Sequence, residues 1–142
     1  MRLAFVTLLS LCYSVYFGQN SWQVISESKN LTVVQENGKF GIADKSGNLI
    51  SEIKYSRKPD VKRFDYGQKL CHVIVQDDGS QYHGLINAEG KEVIPCEFQD
   101  ISRSLDYPFF YVKKRGLYGI ASQKGEIVTA CTMQEISFLY PL

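Results

Sequence analysis

Residues 84–98 have the sequence GLINAEGKEVIPCEF, and the glycine pattern of this segment recurs on both sides of it. Two glycines six residues apart, preceded by an aromatic or imidazole ring, occur three times along the chain. The three sets are Phe40, Gly41 and Gly47; His83, Gly84 and Gly90; Tyr118, Gly119 and Gly125. A pattern at nearly fixed spacing indicates a fold made from stacked copies of one small unit.

Apolar residues stand at matching distances after the first glycine of each set. One place on are Ile42, Leu85 and Ile120; nine places on are Ile50, Val93 and Val128; twelve places on are Ile53, Cys96 and Cys131; fourteen places on are Tyr55, Phe98 and Met133. We expect the first two of these rows to join into one core. Residues 98–102 also match residues 133–137 and 22–26. The units are therefore residues 22–54, 55–97 and 98–132, with a partial fourth unit at 133–142.

Each unit contains short β-rich runs separated by strong turn signals. The runs at 31–34, 71–75 and 109–112 are followed by the dipeptides Asn37-Gly38, Asp78-Gly79 and Arg115-Gly116. Asn-Gly and Asp-Gly favour tight hairpins because both residues tolerate a positive φ angle. No window fits a helix over three turns. The sequence predicts an all-β chain of tandem antiparallel hairpins in an open twisted array, with an incomplete propeller-like, barrel-like or sandwich closure as alternative.

This hairpin resembles the bacterial WG repeat, also called the KWG repeat. The shared pattern is an aromatic residue and glycine, a short strand, an Asx-x-x-Gly turn, and a strand ending near a proline and an aromatic residue, as at Pro95 and Phe98. The resemblance covers about residues 22–136, although no copy carries the Trp-Gly pair itself. It implies a repeat-built β architecture in exported or multidomain bacterial proteins. It implies no catalytic residues, because its pattern consists of turn and packing positions. We also expect no cofactor.

The N-terminal residues 1–18 have the pattern of a secretory signal peptide. Arg2 is followed by fifteen uncharged, mostly apolar residues, which is shorter than the roughly 20 needed to span a membrane. A buried N-terminal strand is the alternative, and bulky Leu11 argues against lipidation at Cys12. We therefore expect an exported β domain of residues 19–142 in the periplasm, on the outer membrane or in the medium, with no integral membrane segment.

Charge and motif content exclude several functions. The chain carries 16 Lys+Arg against 15 Asp+Glu, and removing Arg2 with the leader makes the mature chain neutral. A nucleic-acid binder would normally show a strongly basic balance, so we expect no nucleic-acid partner. The serine-hydrolase, P-loop and dinucleotide motifs are absent from the sequence. We expect no enzyme and no catalytic residues.

The cysteines and histidines offer little chemistry at this level. Cys96 and Cys131 occupy equivalent places in neighbouring units, and we favour two buried thiols over a disulfide between them. Cys71 and His72 are adjacent, so their side chains point to opposite faces of a strand, and His83 holds the ring position of its repeat. Packing roles are therefore favoured over a metal site for these three residues.

One insertion in the second unit is distinctly basic. Six cations face only Asp60 and Asp65, and the six are Lys54, Arg57, Lys58, Lys62, Arg63 and Lys69. Such a patch can meet an acidic partner, an anionic glycan or a membrane surface, although it can also be an ordinary solvated loop. We interpret the chain as a non-enzymatic binding or scaffolding module for a protein or cell-envelope component. The alternatives are a small hydrolase with a site within residues 54–72, and a homodimer that completes the partial fourth unit.

Overall fold

The computed structural model describes residues 21–103 and 108–135, so the predicted signal peptide and most of the partial fourth unit lie outside the described residues. The described chain contains ten strands and one short 3-10 helix. The elements are β1 Gln23–Glu27, β2 Leu31–Glu36, β3 Lys39–Asp44, the 3-10 helix Val61–Tyr66, β4 Leu70–Asp77, β5 Ser80–Asn87, β6 Glu92–Phe98, β7 Asp100–Arg103, β8 Phe109–Lys114, β9 Leu117–Ser122 and β10 Ile127–Met133.

The strands form three antiparallel sheets, one for each predicted unit. Sheet 1 is β1-β2-β3, sheet 2 is β4-β5-β6, and sheet 3 is β7-β8-β9-β10. Every neighbour in a sheet is also a neighbour in the chain, so each sheet is a simple meander. Within the described ranges no sheet closes on another, and the prediction of an open all-β repeat array is confirmed.

The register reproduces the spacing of the sequence repeat. His83 pairs with Phe98, Tyr118 pairs with Met133, and Phe40 forms an isolated antiparallel bridge with Tyr55. Each ring that precedes a repeat glycine therefore lies opposite the residue fourteen places after that glycine. The pairing explains why these two positions recur together in the sequence.

Both predicted kinds of turn are present in all three sheets. Asn37, Asp78 and Arg115 have φ angles of 50°, 48° and 52°, and each is followed by a glycine with positive φ. Two successive residues with positive φ give the tight hairpin turn whose twist matches that of its strands. In the second turn of sheet 2, the side-chain oxygen of Asn87 accepts hydrogen bonds from the backbone N–H groups of Glu89 and Lys91. Asp44 and Ser122 make the same pair of bonds in the other two sheets.

The first glycine of each repeat is needed because another strand passes too close for a side chain. A Cβ atom on Gly84 would lie 2.8 Å from Sγ of Cys96, and one on Gly119 would lie 2.9 Å from Sγ of Cys131. The corresponding glycine of sheet 1 is approached in the same way. The glycine and the residue twelve places later are therefore one packing unit, which accounts for their joint recurrence.

In the second and third repeats, the second glycine lies against the preceding unit. A Cβ atom on Gly90 would lie 2.9 Å from Cγ2 of Ile42 and 3.3 Å from Cδ1 of Ile50, both in the preceding unit. A Cβ atom on Gly125 would collide with the backbone carbonyl oxygen of Val93. Since Ile50 and Val93 hold the same place in their units, the contact between successive sheets is itself repeated.

Two hydrophobic cores lie between the sheets, and the expectation of one joined core was wrong. The first, between sheets 1 and 2, contains Leu31, Val33, Ile42, Tyr55, Val61, Cys71, Val73 and Ile86. The second, between sheets 2 and 3, contains Leu85, Ile94, Phe98, Phe110, Val112 and Ala121. Sheet 2 is apolar on both faces and separates the two cores. Ile42 and Leu85, which hold the same place in their repeats, therefore lie in different cores. Val128, expected in the core, has 57 % of its surface exposed.

Candidate functional site: a basic loop over the first core

The segment between sheets 1 and 2, residues 56–69, crosses the first core and carries the basic insertion. Five of its cations are exposed and form no salt bridge with a described carboxylate: Arg57, Lys58, Lys62, Arg63 and Lys69. Tyr66 stands among them with 85 % of its surface exposed. The loop therefore presents a cationic surface with a protruding aromatic ring, which is suited to an acidic partner.

Apolar residues under the loop hold it in place. Val61 is 1 % exposed and belongs to the first core, Phe64 packs against that core, and Pro59 is fully buried. Val61 and Phe64 are three residues apart, which is one turn of a 3-10 helix, so both lie on the side that faces the core, while Lys62 and Arg63 between them face solvent. The helix ends at Gly67, whose φ of 83° lets its N–H reach the carbonyl oxygens of Arg63 and Phe64.

Polar contacts anchor the loop at two further points. Oδ1 of Asp65 accepts a hydrogen bond of 2.9 Å from the backbone N–H of Lys29, in the turn between β1 and β2. At the beginning of the loop, the backbone N–H of Ser56 donates to the carbonyl oxygen of Ile74 on β4, at 2.8 Å. The cations are thus mounted on a segment tied to both sheets.

Lys54 does not belong to this surface, although the sequence grouped it with the other five cations. Its Nζ lies 2.8 Å from Oε1 of Glu92, and the same oxygen accepts a hydrogen bond of 2.8 Å from the hydroxyl of Tyr55. Desolvation lowers the pKa of Lys54, but the hydrogen bond and charge of Glu92 outweigh it and raise the pKa overall. Lys54 and Glu92 line an open cleft of about 320 Å³ between sheets 1 and 2. The pair neutralises this cleft, so Lys54 does not act as a free cation.

Three titratable residues of the segment 54–72 that could form a hydrolase site, Asp65, Cys71 and His72, are not brought together. Asp65 is bonded to the turn after β1, Cys71 is 2 % exposed in the first core, and His72 lies on the opposite face of β4. Burial raises the pKa of the Cys71 thiol, which opposes formation of a nucleophilic thiolate. Cys71, Cys96 and Cys131 are all free thiols in the structure.

His72 and His83 do meet, which sequence reasoning missed. Nδ1 of His83 lies 2.8 Å from Nε2 of His72, and the two rings are stacked with their centroids 4.9 Å apart. Desolvation lowers the pKa of His72, and the neighbouring His83 lowers it further. The sequence did contain a signal for this contact. The tight turn centred on Asp78-Gly79 pairs β4 with β5 and fixes the register that brings His72 close to His83.

Among the described residues no group of three or more His, Cys, Asp or Glu is placed to hold a metal ion. Over residues 21–103 and 108–135, no helix has the length and apolar character needed to cross a bilayer.

The described chain is an all-β repeat array with a basic loop held between its first two sheets. A family model described as the WG containing repeat matches residues 84–118, so this segment is similar to that repeat. The match begins at Gly84 and ends at Tyr118, one residue before the next repeat glycine, and thus spans one period. No curated protein and no solved structure matches the chain significantly.

Proposed function

We propose that this chain is a non-enzymatic binding module, exported to the cell envelope, that recognises an acidic partner through the loop at residues 56–69. The observation that carries the proposal is the contrast between Lys54 and the five cations of the loop. Lys54 is neutralised by Glu92, whereas the five cations of the loop face solvent with no described carboxylate paired to them. Because the segment that carries these cations is already held against both sheets, its backbone does not have to be ordered when an anion binds.

The composition of residues 1–18 supports the exported part of the proposal. A positive start followed by an apolar run is the pattern that the secretion machinery recognises. N-terminal sequencing of the protein isolated from an envelope fraction tests it. We expect a mature chain that begins near Gln19, and recovery of the uncleaved chain from the cytoplasm would contradict export.

The partner is tested by affinity capture from an envelope extract. The loop variant replaces Lys58, Lys62 and Lys69 with Gln, and the matched control replaces the exposed Lys39, Lys91 and Lys124, so both variants lose the same charge. We expect the wild type and the control to retain one envelope component in common and the loop variant to lose it. Equal recovery by all three proteins would remove the loop from the proposal.

A further inference from the structure

The two histidines of the chain form a pair on adjacent strands, independent of the basic loop's proposed role. His72 on β4 and His83 on β5 are diagonal neighbours, because His72 pairs with Leu85 and His83 pairs with Ile74. Both side chains therefore lie on the same face of sheet 2. The chain contains no other histidine, so all of its imidazole chemistry is gathered at this point.

The separation of the two nitrogens matches two adjacent positions around a metal ion. Metal–nitrogen bonds of about 2.0 Å that meet at about 90° place the nitrogens about 2.8 Å apart. Nδ1 of His83 and Nε2 of His72 are 2.8 Å apart. At the tetrahedral angle preferred by zinc the nitrogens would have to stand about 3.3 Å apart. An ion with square-planar or octahedral geometry would therefore be held with less movement of the two rings than zinc would need.

We propose that His72 and His83 form a two-ligand site for a divalent late transition-metal ion of the nickel(II) or copper(II) type, with water in its remaining coordination positions. Imidazole nitrogens are suitable ligands for these ions, and square-planar or tetragonal nitrogen sites are typical of them. His72 is exposed, so an ion in solution has access to the pair.

The neutral form of His72 is the form that can bind a metal ion. Neutral imidazole is the ligating form, and the lowered pKa of His72 favours that form. In the metal-free pair, one of the two facing nitrogens donates its hydrogen to the other. When an ion binds, that proton moves through water to the outer nitrogen of the same ring, so no net proton is released.

Charged neighbours modulate the site in opposite directions. The carboxylate of Asp100 favours a positive charge at His72, whereas Arg57 and Arg63 disfavour it. Two protein ligands without a third carboxylate or thiolate give modest affinity, consistent with the absence of any larger ligand group among the described residues. The site is also specific to sheet 2, since the equivalents of His83 in the other units are Phe40 and Tyr118.

The test is calorimetric titration of the full, untagged protein with nickel(II) chloride at pH 7.5. Nickel(II) is used because it does not oxidise thiols under these conditions. We expect one ion per chain, at least tenfold weaker binding in His72→Gln and in His83→Tyr, and weaker binding as the pH falls, because protons compete with the ion for the ligating nitrogens. His83→Tyr installs the ring that sheet 3 carries at the equivalent position, so the sheet is expected to form.

Two controls make the result decisive. Cys131→Ser removes a partly exposed thiol that lies outside the pair and should bind nickel as the wild type does. Far-UV circular dichroism establishes that each variant is folded, and His72→Gln decides the question if His83→Tyr is not. Unchanged binding in a folded histidine variant, loss of binding in Cys131→Ser, or no binding by the wild type at millimolar nickel would each overturn the proposal.

Discussion

The hydroxyl of Tyr55 donates a hydrogen bond of 2.8 Å to Oε1 of Glu92. Because Tyr55 also bridges Phe40 of sheet 1, this bond ties sheet 1 to the first residue of β6 in sheet 2. Tyr55 has no exposed surface, yet its polar end is satisfied by a carboxylate that Lys54 also neutralises. The three groups stand where the chain leaves sheet 1 for the basic loop. Their bonds therefore fix both the joint between two sheets and the starting point of the loop.

Removing the Tyr55 hydroxyl should weaken this joint and alter its dependence on pH. Burial, followed by the hydrogen bond to Glu92, raises the pKa of Tyr55 above its ordinary value of about 10. The stability that the neutral hydroxyl contributes is therefore fully present below pH 10 and is lost as the pH rises further. We expect Tyr55→Phe to lower the free energy of unfolding at pH 7 by about 1 to 3 kcal/mol.

Urea unfolding at a series of pH values from 7 to 11 measures both effects. Above pH 10 the unfolding free energy of the wild type should fall more steeply than that of Tyr55→Phe, because the variant has no hydroxyl to ionise at this position. Coincident curves for the two proteins would show that the hydroxyl bond contributes nothing.

The packing of sheet 3 on sheet 2 can be isolated with two glycines of similar backbone conformation. Gly125 and Gly116 have φ angles of 85° and 77°, so alanine is strained at both. Only at Gly125 would the added Cβ atom also collide with the carbonyl oxygen of Val93, since Gly116 has nothing within 4 Å. We expect Gly125→Ala to destabilise the protein by about 1 to 3 kcal/mol more than Gly116→Ala, as measured by thermal unfolding. Equal losses would mean that the sheets do not pack at this turn.

Alkylation should distinguish the folded from the unfolded environment of Cys96. Burial, followed by the charge of Glu92, raises the pKa of this thiol to about 12. Because only the thiolate reacts, we expect iodoacetamide to modify Cys96 at pH 8 more than about a hundredfold slower in the native protein than in urea. Mass spectrometry of the peptides gives both rates. A native rate close to that in urea would contradict the described packing of Cys96 on Gly84.

The bond between Asp65 and Lys29 should determine how firmly the basic loop is held. In Asp65→Ala the backbone N–H of Lys29 loses its acceptor, and we expect faster tryptic cleavage after Lys62 and Arg63. Asp60→Ala is the matched control, because the Asp60 side chain makes no capping bond to the helix. If both variants are cut at the same rate as the wild type, the bond between Lys29 and Asp65 does not restrain the loop.

Local chemistry allowed much of the fold to be predicted. Dipeptides such as Asn37-Gly38 specify a tight turn by their own backbone preferences, and the meander follows once the turns are placed. The spacing from Gly84 to Cys96 was visible because the packing of one unit repeats in the next. These features depend on residues close in sequence or on the period itself.

What could not be predicted depends on contacts between units. The sequence around each strand of sheet 2 does not show that both faces of the sheet are covered. The apolar residues of two separate cores were therefore predicted to form a single core. The ion pair between Lys54 and Glu92 joins residues of two different units. Composition alone groups Lys54 with the cations of the basic loop, and only this contact shows that Lys54 does not belong with them. The 3-10 helix at Val61–Tyr66 is too short to leave a periodic signal.

Retention on immobilised poly-L-glutamate, read as the sodium chloride concentration at which the protein elutes, tests the central claim most directly. The whole chain has a formal charge of only +1, so strong retention requires a local cationic surface. We predict that the wild type and the Lys39, Lys91 and Lys124 control elute together, and that the Lys58, Lys62 and Lys69 variant elutes at clearly lower salt. Elution of both variants at the same salt concentration would contradict the assignment of the loop as the binding surface.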